Sequence, residues 1–381
     1  MMDFALTEEQ VAIRRTVDAL MAKELPPDEV LRYDLAEETP VHLVPAYGAA
    51  GLIAAALPEA HGGLGADWLT VTLIQERLGT HSSIAASLYS MTVDFGAMSL
   101  IGYGTQEQRE RLLPDLIAGR GRYALALTEP GAGTDAAALT TRADPVEGGW
   151  RVNGRKTWIS CADSADWLVT PARTTRGASG RAGISMLLVP RNAPGVHMTK
   201  LPKIGNHSLT SWDIAYDDVF VSSRDLMGAE GEGFRGLMST LAYSRAGQAA
   251  NAIGQAQAAV DLAGAHVRER IQFGRPLTQF QTVRHRLVDM QMRVDQARLM
   301  LYRLAWMIER GERCRLESAQ AKILCTEALQ YVTHHGMQLM ASTSYARESA
   351  MNRYWRDGRL LTFGEGANEM LRDLIAREMA L

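Results

Sequence analysis

The segment YALALTEPGAGTD, residues 123–135, is where the chain changes texture, and the fold turns on it. Its first half reads as a short β-strand and its second half as a glycine-rich turn. Everything before it reads as helix. In EEQVAIRRTVDALMAKEL (8–25), Val11, Ile13, Val17, Leu20 and Met21 gather on one side at helical spacing. WLTVTLIQERLG (68–79) and TQEQRERLLPDLIAG (105–119) each run to a glycine stop, and PEAHGGLGAD (58–67) is a glycine-rich loop between them. After it come further short β-like runs: WRVNGRKTWIS (150–160), DWLVTPA (166–172), GISMLLVP (183–190) and DIAYDDVFV (213–221). Turn signals separate them at Glu147-Gly148-Gly149, at Asn153-Gly154 and in GASGRAG (177–183), which suits a compact barrel or sandwich. From about residue 231 the pattern is helical again. In RHRLVDMQMRVDQARLMLYRLAWMIERG (284–311), Leu287, Met290, Val294, Ala297, Leu301, Leu304 and Ile308 recur at steps of three and four, and Gly311 ends the run. Several such segments predict an antiparallel helical bundle.

The chain has 381 residues and is 46% apolar, enough for two or three domains or layers. A formal charge of −3 without blocks of like charge argues against a general nucleic-acid or membrane-surface binder. No apolar run approaches the roughly 20 residues of a membrane helix. The start, MMDFALTEEQVAIRR, is acidic and amphipathic, unlike a signal or transit peptide. Cys161, Cys314 and Cys325 form no pairing pattern, so a reduced, cytoplasmic protein is the expectation.

Taken one at a time, the motifs decide little. LTEPGAGTD (127–135) is neither a Walker A loop nor GxGxxG. Its glycines would let backbone N–H groups face a ligand, but alone it reads as an ordinary turn. KTWIS (156–160) sets an indole on a strand, where packing is the simplest role. RERIQFGRPLTQFQ (268–281) offers Arg270 and Arg275 to phosphates, or is a solvated interhelix loop. His334-His335 is a tandem pair whose rings diverge on a helix, so no metal site is expected. Glu365, in TFGEGANEML (362–371), could be a hydrated turn residue.

Their order is more specific than any one of them. LTEEQ, PEAHGGLGAD, LTEPGAGTD, VNGRKTWIS, RIQFGRPLTQFQ and WRDGRLLTFGEGANEMLRDLIARE resemble, in sequence, six motifs of the acyl-CoA dehydrogenase flavoprotein family across nearly the whole chain. The resemblance implies a multi-domain α+β fold: an N-terminal all-α domain (1–122), a middle β-barrel (123–230) and a C-terminal four-helix bundle (231–381). It implies FAD, a homo-oligomer (dimer or tetramer), an acyl-CoA or acyl-carrier-protein substrate, and an electron-transfer flavoprotein or other electron acceptor. It further implies that Leu127 and Thr128 bond the flavin edge, that Trp158 packs on the ring, and that Ser160 reaches its N5/O4 side. Thr134 would touch the pyrophosphate or the substrate arm. Arg270, Phe273, Gln281 and Gln338 would hold the adenosine diphosphate half from a neighbouring subunit. Arg245 would stand beside the substrate channel. Glu365, between Gly364 and Gly366, takes the place of the catalytic base. A subgroup carries its base just before the residue matching Arg245, but here that slot is Ser244, which cannot serve.

The implied reaction is FAD-dependent α,β-dehydrogenation of an acyl thioester: a carboxylate takes the α-proton while the β-hydrogen passes to flavin N5. Such a base works best desolvated, with its pKa raised toward that of its target. Glycine on either side lets the backbone approach the thioester. The chain departs from the family in two places. The usual aromatic residue before the base is Gly364, which implies a wider or differently shaped site and a branched, functionalised or carrier-bound acyl group, as in antibiotic and polyketide pathways. The usual Gly-Gly after Gln338 is Ala341-Ser342. The competing expectations are a same-fold flavin monooxygenase or oxidase, an enoyl-thioester reductase, and a catalytically silent interaction subunit.

Overall fold

Thr7 caps the first helix, Glu8–Glu24, in a box closed by Gln10, and Thr105 does the same with Gln108 for Gln106–Ile117. Asp67 caps Trp68–His81. The computed structural model describes residues 5–175, 177 and 180–381, so Met1–Phe4 of the amino-terminal segment and Ala178 and Ser179 of the 177–183 turn lie outside it. Val17 and Met21 of the first helix are buried in one core with Leu43, Tyr47, Leu78 and Leu116. The chain does form one helical rod, Ser83–Tyr103, that by length and composition could span a bilayer, contrary to the reading of its apolar runs. Its most apolar window is 72% buried against the rest of the protein, as in a core helix. A π-helical stretch, Met91–Ala97, interrupts it. Such stretches often mark functional positions.

Eight of the strands among the described residues form one sheet. Its path runs Val196–Lys200, Ser211–Ser222, Gly149–Ser160, Arg142–Val146, Trp167–Arg173, Ile184–Pro190, Leu226–Met227, with Tyr123–Leu125 parallel to Trp167–Arg173. The barrel is left open, since no ladder joins the two end strands among the described residues. The apolar run over 186–189 has a physical cause: Met186 and Leu188 enter the helical core, while Leu187 and Val189 enter the sheet's own core.

Three long helices follow: Gly233–Glu269, Gln281–Glu309 and Arg315–Met340. The fourth member of the bundle is split into Ala350–Leu360 and Asn368–Glu378, and Glu365 sits in the break. Of the expected stripe on the second helix, Leu287 is partly buried and the other six residues are buried. The interhelix segment is a small hairpin, Ile271–Gln272 against Arg275–Pro276, turning on Phe273 and Gly274 with φ 52° and 75°. Two consecutive positive φ angles match the twist of a tight hairpin. A buried polar knot ties the three parts together. Arg356 pairs with Asp34 and reaches His207 Nδ1 at 2.9 Å, while Asn206 N donates to Asp357 Oδ1 at 2.5 Å.

Candidate active site

The break between Leu360 and Asn368 is held in an unusual backbone state. Glu365 has φ 54° and Gly366 φ 102°, so a non-glycine residue is kept in the left-handed region next to one that tolerates it freely. Such strain persists only where the surroundings impose it. Here Lys322, fully buried on the Arg315–Met340 helix, donates to Gly366 O and Asn368 Oδ1, each at 2.9 Å. Asn368 Nδ2 in turn donates to Thr326 Oγ1 one turn further along that helix, at 3.1 Å. The N–H groups of residues 365–367 donate to no protein acceptor among the described residues.

The Glu365 carboxylate is desolvated. The residue as a whole is half-buried, but its Oε2 is buried and has no partner. Burial pushes its pKa up to about 7, against the pull of the Ser244 hydroxyl, Lys322 and Arg245. Arg245 is itself buried, with its Nε unpartnered, and burial lowers its pKa while Glu365 supports the charge. A Cβ on Gly366 would lie 3.9 Å from Arg245 Nη2. Burial likewise brings Lys322 down to about 8, with Glu365 opposing the fall. The structure therefore brings Glu365, Gly364, Gly366 and Arg245 together.

A second cluster joins the loop at 127–135 to the strand at 149–160. Thr157 N donates to Thr128 O at 2.8 Å. Buried Lys156 bonds Glu129 Oε1 at 2.9 Å and Leu127 O at 3.2 Å, and Glu129 also accepts from Thr140 N and Thr141 N. Burial works against the Glu129 carboxylate, but Lys156 and these donors hold it near about 2. The packing role expected of Trp158 from its motif alone is corrected. Between Lys156 and Ile159 the ladder with Ser211–Ser222 slips by one residue, Trp158 takes φ 59°, and its side chain is 57% exposed. A bulge of this kind re-aims a side chain. Ser160 is half-buried and faces Ser211 in the ladder, and Thr134 is exposed. Positions 131 and 133 have open space where a Cβ would be. An uncovered indole beside approachable backbone fits a flat aromatic cofactor. The stretch Met91–Ala97 packs on Tyr123–Leu125, the strand leading into this loop.

Arg270, Phe273, Gln281 and Gln338 are exposed and lie apart from both clusters. From Arg245 to Arg270 the helix climbs about 37 Å at 1.5 Å per residue. Sequence reasoning missed Lys322, whose signal was a lysine on an apolar helix face. It also missed Gln248. A Cβ at Gly364 would come within 3.0 Å of Gln248 Nε2, so this amide stands beside the place where the family's aromatic ring would start.

Models of the acyl-CoA dehydrogenase N-terminal, middle and C-terminal domains match residues 7–120, 124–219 and 231–380. The chain is 34% identical over 379 residues to the probable acyl-CoA dehydrogenase YngJ of Bacillus subtilis (strain 168), covering 99% of this chain and 100% of the relative. Its fold is similar to butyryl-CoA dehydrogenase from Megasphaera elsdenii, with TM-score 0.95, 30% identity and 100% of both chains covered. It is also similar to the prolyl acyl carrier protein oxidase AnaB, with TM-score 0.94, 25% identity, and 99% and 100% of the two chains covered.

Proposed function

The chain belongs to the acyl-CoA dehydrogenase family, and from that premise we propose that it desaturates an acyl thioester between Cα and Cβ, with Glu365 as the base. It is an oxidoreductase acting on CH–CH groups, with FAD as cofactor. The observation that carries the finer reading is the Glu365 carboxylate: buried, unpartnered at Oε2, and raised to about 7. A base poised near neutral pH can take an α-proton and release it again. The N–H groups of residues 365–367, which have no protein acceptor among the described residues, would donate to the thioester carbonyl oxygen as charge develops on it. Arg245 and Lys322 supply positive charge around the same loop, and Lys322 keeps its backbone in place. Trp158, Thr128, the Leu127 backbone and Ser160 would hold the flavin ring, and Thr134 would lie toward its phosphates or the substrate arm. Bound FAD supplies the two-electron acceptor for the hydrogen leaving Cβ.

Arg270, Phe273, Gln281 and Gln338 would serve a second copy's cofactor, because one chain sets them too far from Glu365. An apolar stripe on Gln281–Glu309 supports such a partner: Val288, Met292, Leu299 and Trp306 are each more than half exposed. The thioester is carried by CoA or by a carrier protein, the likeness to AnaB supporting the second. An electron-transfer flavoprotein is the proposed acceptor. The test is anaerobic mixing of the FAD-loaded protein with acyl groups on CoA and on a carrier protein. Bleaching of the flavin absorbance by at least one thioester is expected. A flavin that no thioester bleaches, but that consumes oxygen when chemically reduced, would favour an oxygen-using enzyme instead.

A further inference from the structure

The wall beside Glu365 is polar where a plain hydrocarbon chain would call for apolar lining. Ser244, Gln248 and Asn251 follow at i, i+4 and i+7 on Gly233–Glu269, so they share one face. Opposite them, Ser87, Ser90 and Asp94 recur along the Ser83–Tyr103 rod. The two faces meet closely. Asn251 Nδ2 lies 3.2 Å from Ser87 Oγ, and a Cβ on Gly247 would collide with Asp94 Oδ2. Asp94, fully buried, accepts from Ser90 Oγ and from Gln75 Nε2 at 3.1 Å. Burial pushes its pKa well above the ordinary carboxylate value, and Glu365 adds to the effect. The seam starts at the Ser244 hydroxyl, which bonds Glu365, and continues about 6 Å along the helix to Gln248.

Interhelical bonding accounts for part of this polarity but not for all of it. Eight buried side-chain polar atoms lack a partner among the described residues, and four belong to this neighbourhood: Arg245 Nε, Gln248 Oε1, Gln255 Oε1 and Glu365 Oε2. Buried polar atoms are rarely left unpaired, so such a cluster calls for a ligand or water that completes it. Glu365 Oε2 faces the proton it removes in the proposed reaction. Gln248 Oε1 is an acceptor with no such task, and the Nε2 of the same amide stands 3.0 Å from where a Cβ at position 364 would be, which sets this side chain beside the space that glycine opens.

We propose that the acyl group carries a hydrogen-bond donor, a hydroxyl or an amino group, a few bonds beyond Cβ, and that Gln248 recognises it. This rests on the dehydrogenase reading above. An unsubstituted chain leaves the Gln248 oxygen dry and unpaired, whereas a donor on the chain satisfies it, which is how a polar site rejects an apolar analogue. The experiment is anaerobic flavin bleaching by the FAD-loaded protein with acyl-CoAs of matched length: unsubstituted, γ- or δ-hydroxylated, and γ- or δ-aminated. The donor-bearing thioesters are expected to bleach with at least about tenfold greater efficiency, and the hydroxyl and amino arms tell the two donors apart. In Gln248→Met, which keeps the side-chain length, that ratio is expected to collapse toward unity, with FAD content and melting temperature reporting the fold. Should that variant fail to bind FAD, the wild-type panel decides alone. Equal or better bleaching by the unsubstituted chain overturns the proposal and leaves the dehydrogenase reading standing. Bleaching by no thioester defeats both.

Discussion

At the scale of single residues, the site depends on opposing electrostatic effects around one carboxylate. Burial raises Glu365 to about 7, and Ser244, Lys322 and Arg245 keep it from rising further. Lys322 is therefore a positioning residue with two effects: it clamps Gly366 O and Asn368 Oδ1, and it favours the ionised base. Lys322→Met removes a positive neighbour, so the base pKa is expected to rise above about 7. The rising limb of kcat/KM against pH is then expected to move to higher pH. The same limb in mutant and wild type would contradict the electrostatic role, even if activity fell overall. Glu365 also bears on stability. Its folded pKa lies above the unfolded value near 4.5, so it favours the folded state below that value and loses this contribution as pH rises toward about 7.

At the scale of elements, what was legible in the sequence was what lies close along the chain. The helical segments over 8–25 and 105–119, the six buried residues of the Gln281–Glu309 stripe, and the β texture after Tyr123 all follow from spacing and local chemistry. The exposure of Trp158 was not legible from its own motif, because the bulge arises from register against Ser211–Ser222, far along the chain. Lys322 and Gln248 were hidden for the same reason: each acts on the 361–367 break from another helix. Among the chain's departures from its family, Ala341 has a local cost. It ends Arg315–Met340 with φ 50° and ψ −135°, a conformation suited to glycine, where the family has glycine. Ala341→Gly is expected to raise unfolding free energy by about 1 kcal/mol in a denaturant titration, the strain relieved being partly offset by unfolded-chain entropy. A loss of stability would mean that the alanine methyl packs usefully.

At the scale of the whole molecule, the proposed function has one chain supply only part of the cofactor site, with a second copy supplying the rest. Arg245 stands beside Glu365, while Phe273, 91% exposed, sits on the hairpin at the far end of the same helix, about 37 Å along it. Phe273→Asp is expected to leave helix content unchanged and to lower FAD occupancy, with dilution releasing FAD and dissociating the oligomer together in light-scattering chromatography. A monomer that retains full FAD would contradict a shared site. The central claim, however, is that the buried Glu365 carboxylate is an α-proton base. Its most direct test is hydrogen exchange at Cα, in deuterated water, of an acyl thioester that lacks a removable β-hydrogen, so that no redox step enters. The FAD-loaded wild type is expected to catalyse exchange, and Glu365→Gln, with FAD still bound, to lose about 10²- to 10⁴-fold of the rate. Equal exchange in the two proteins would contradict the account.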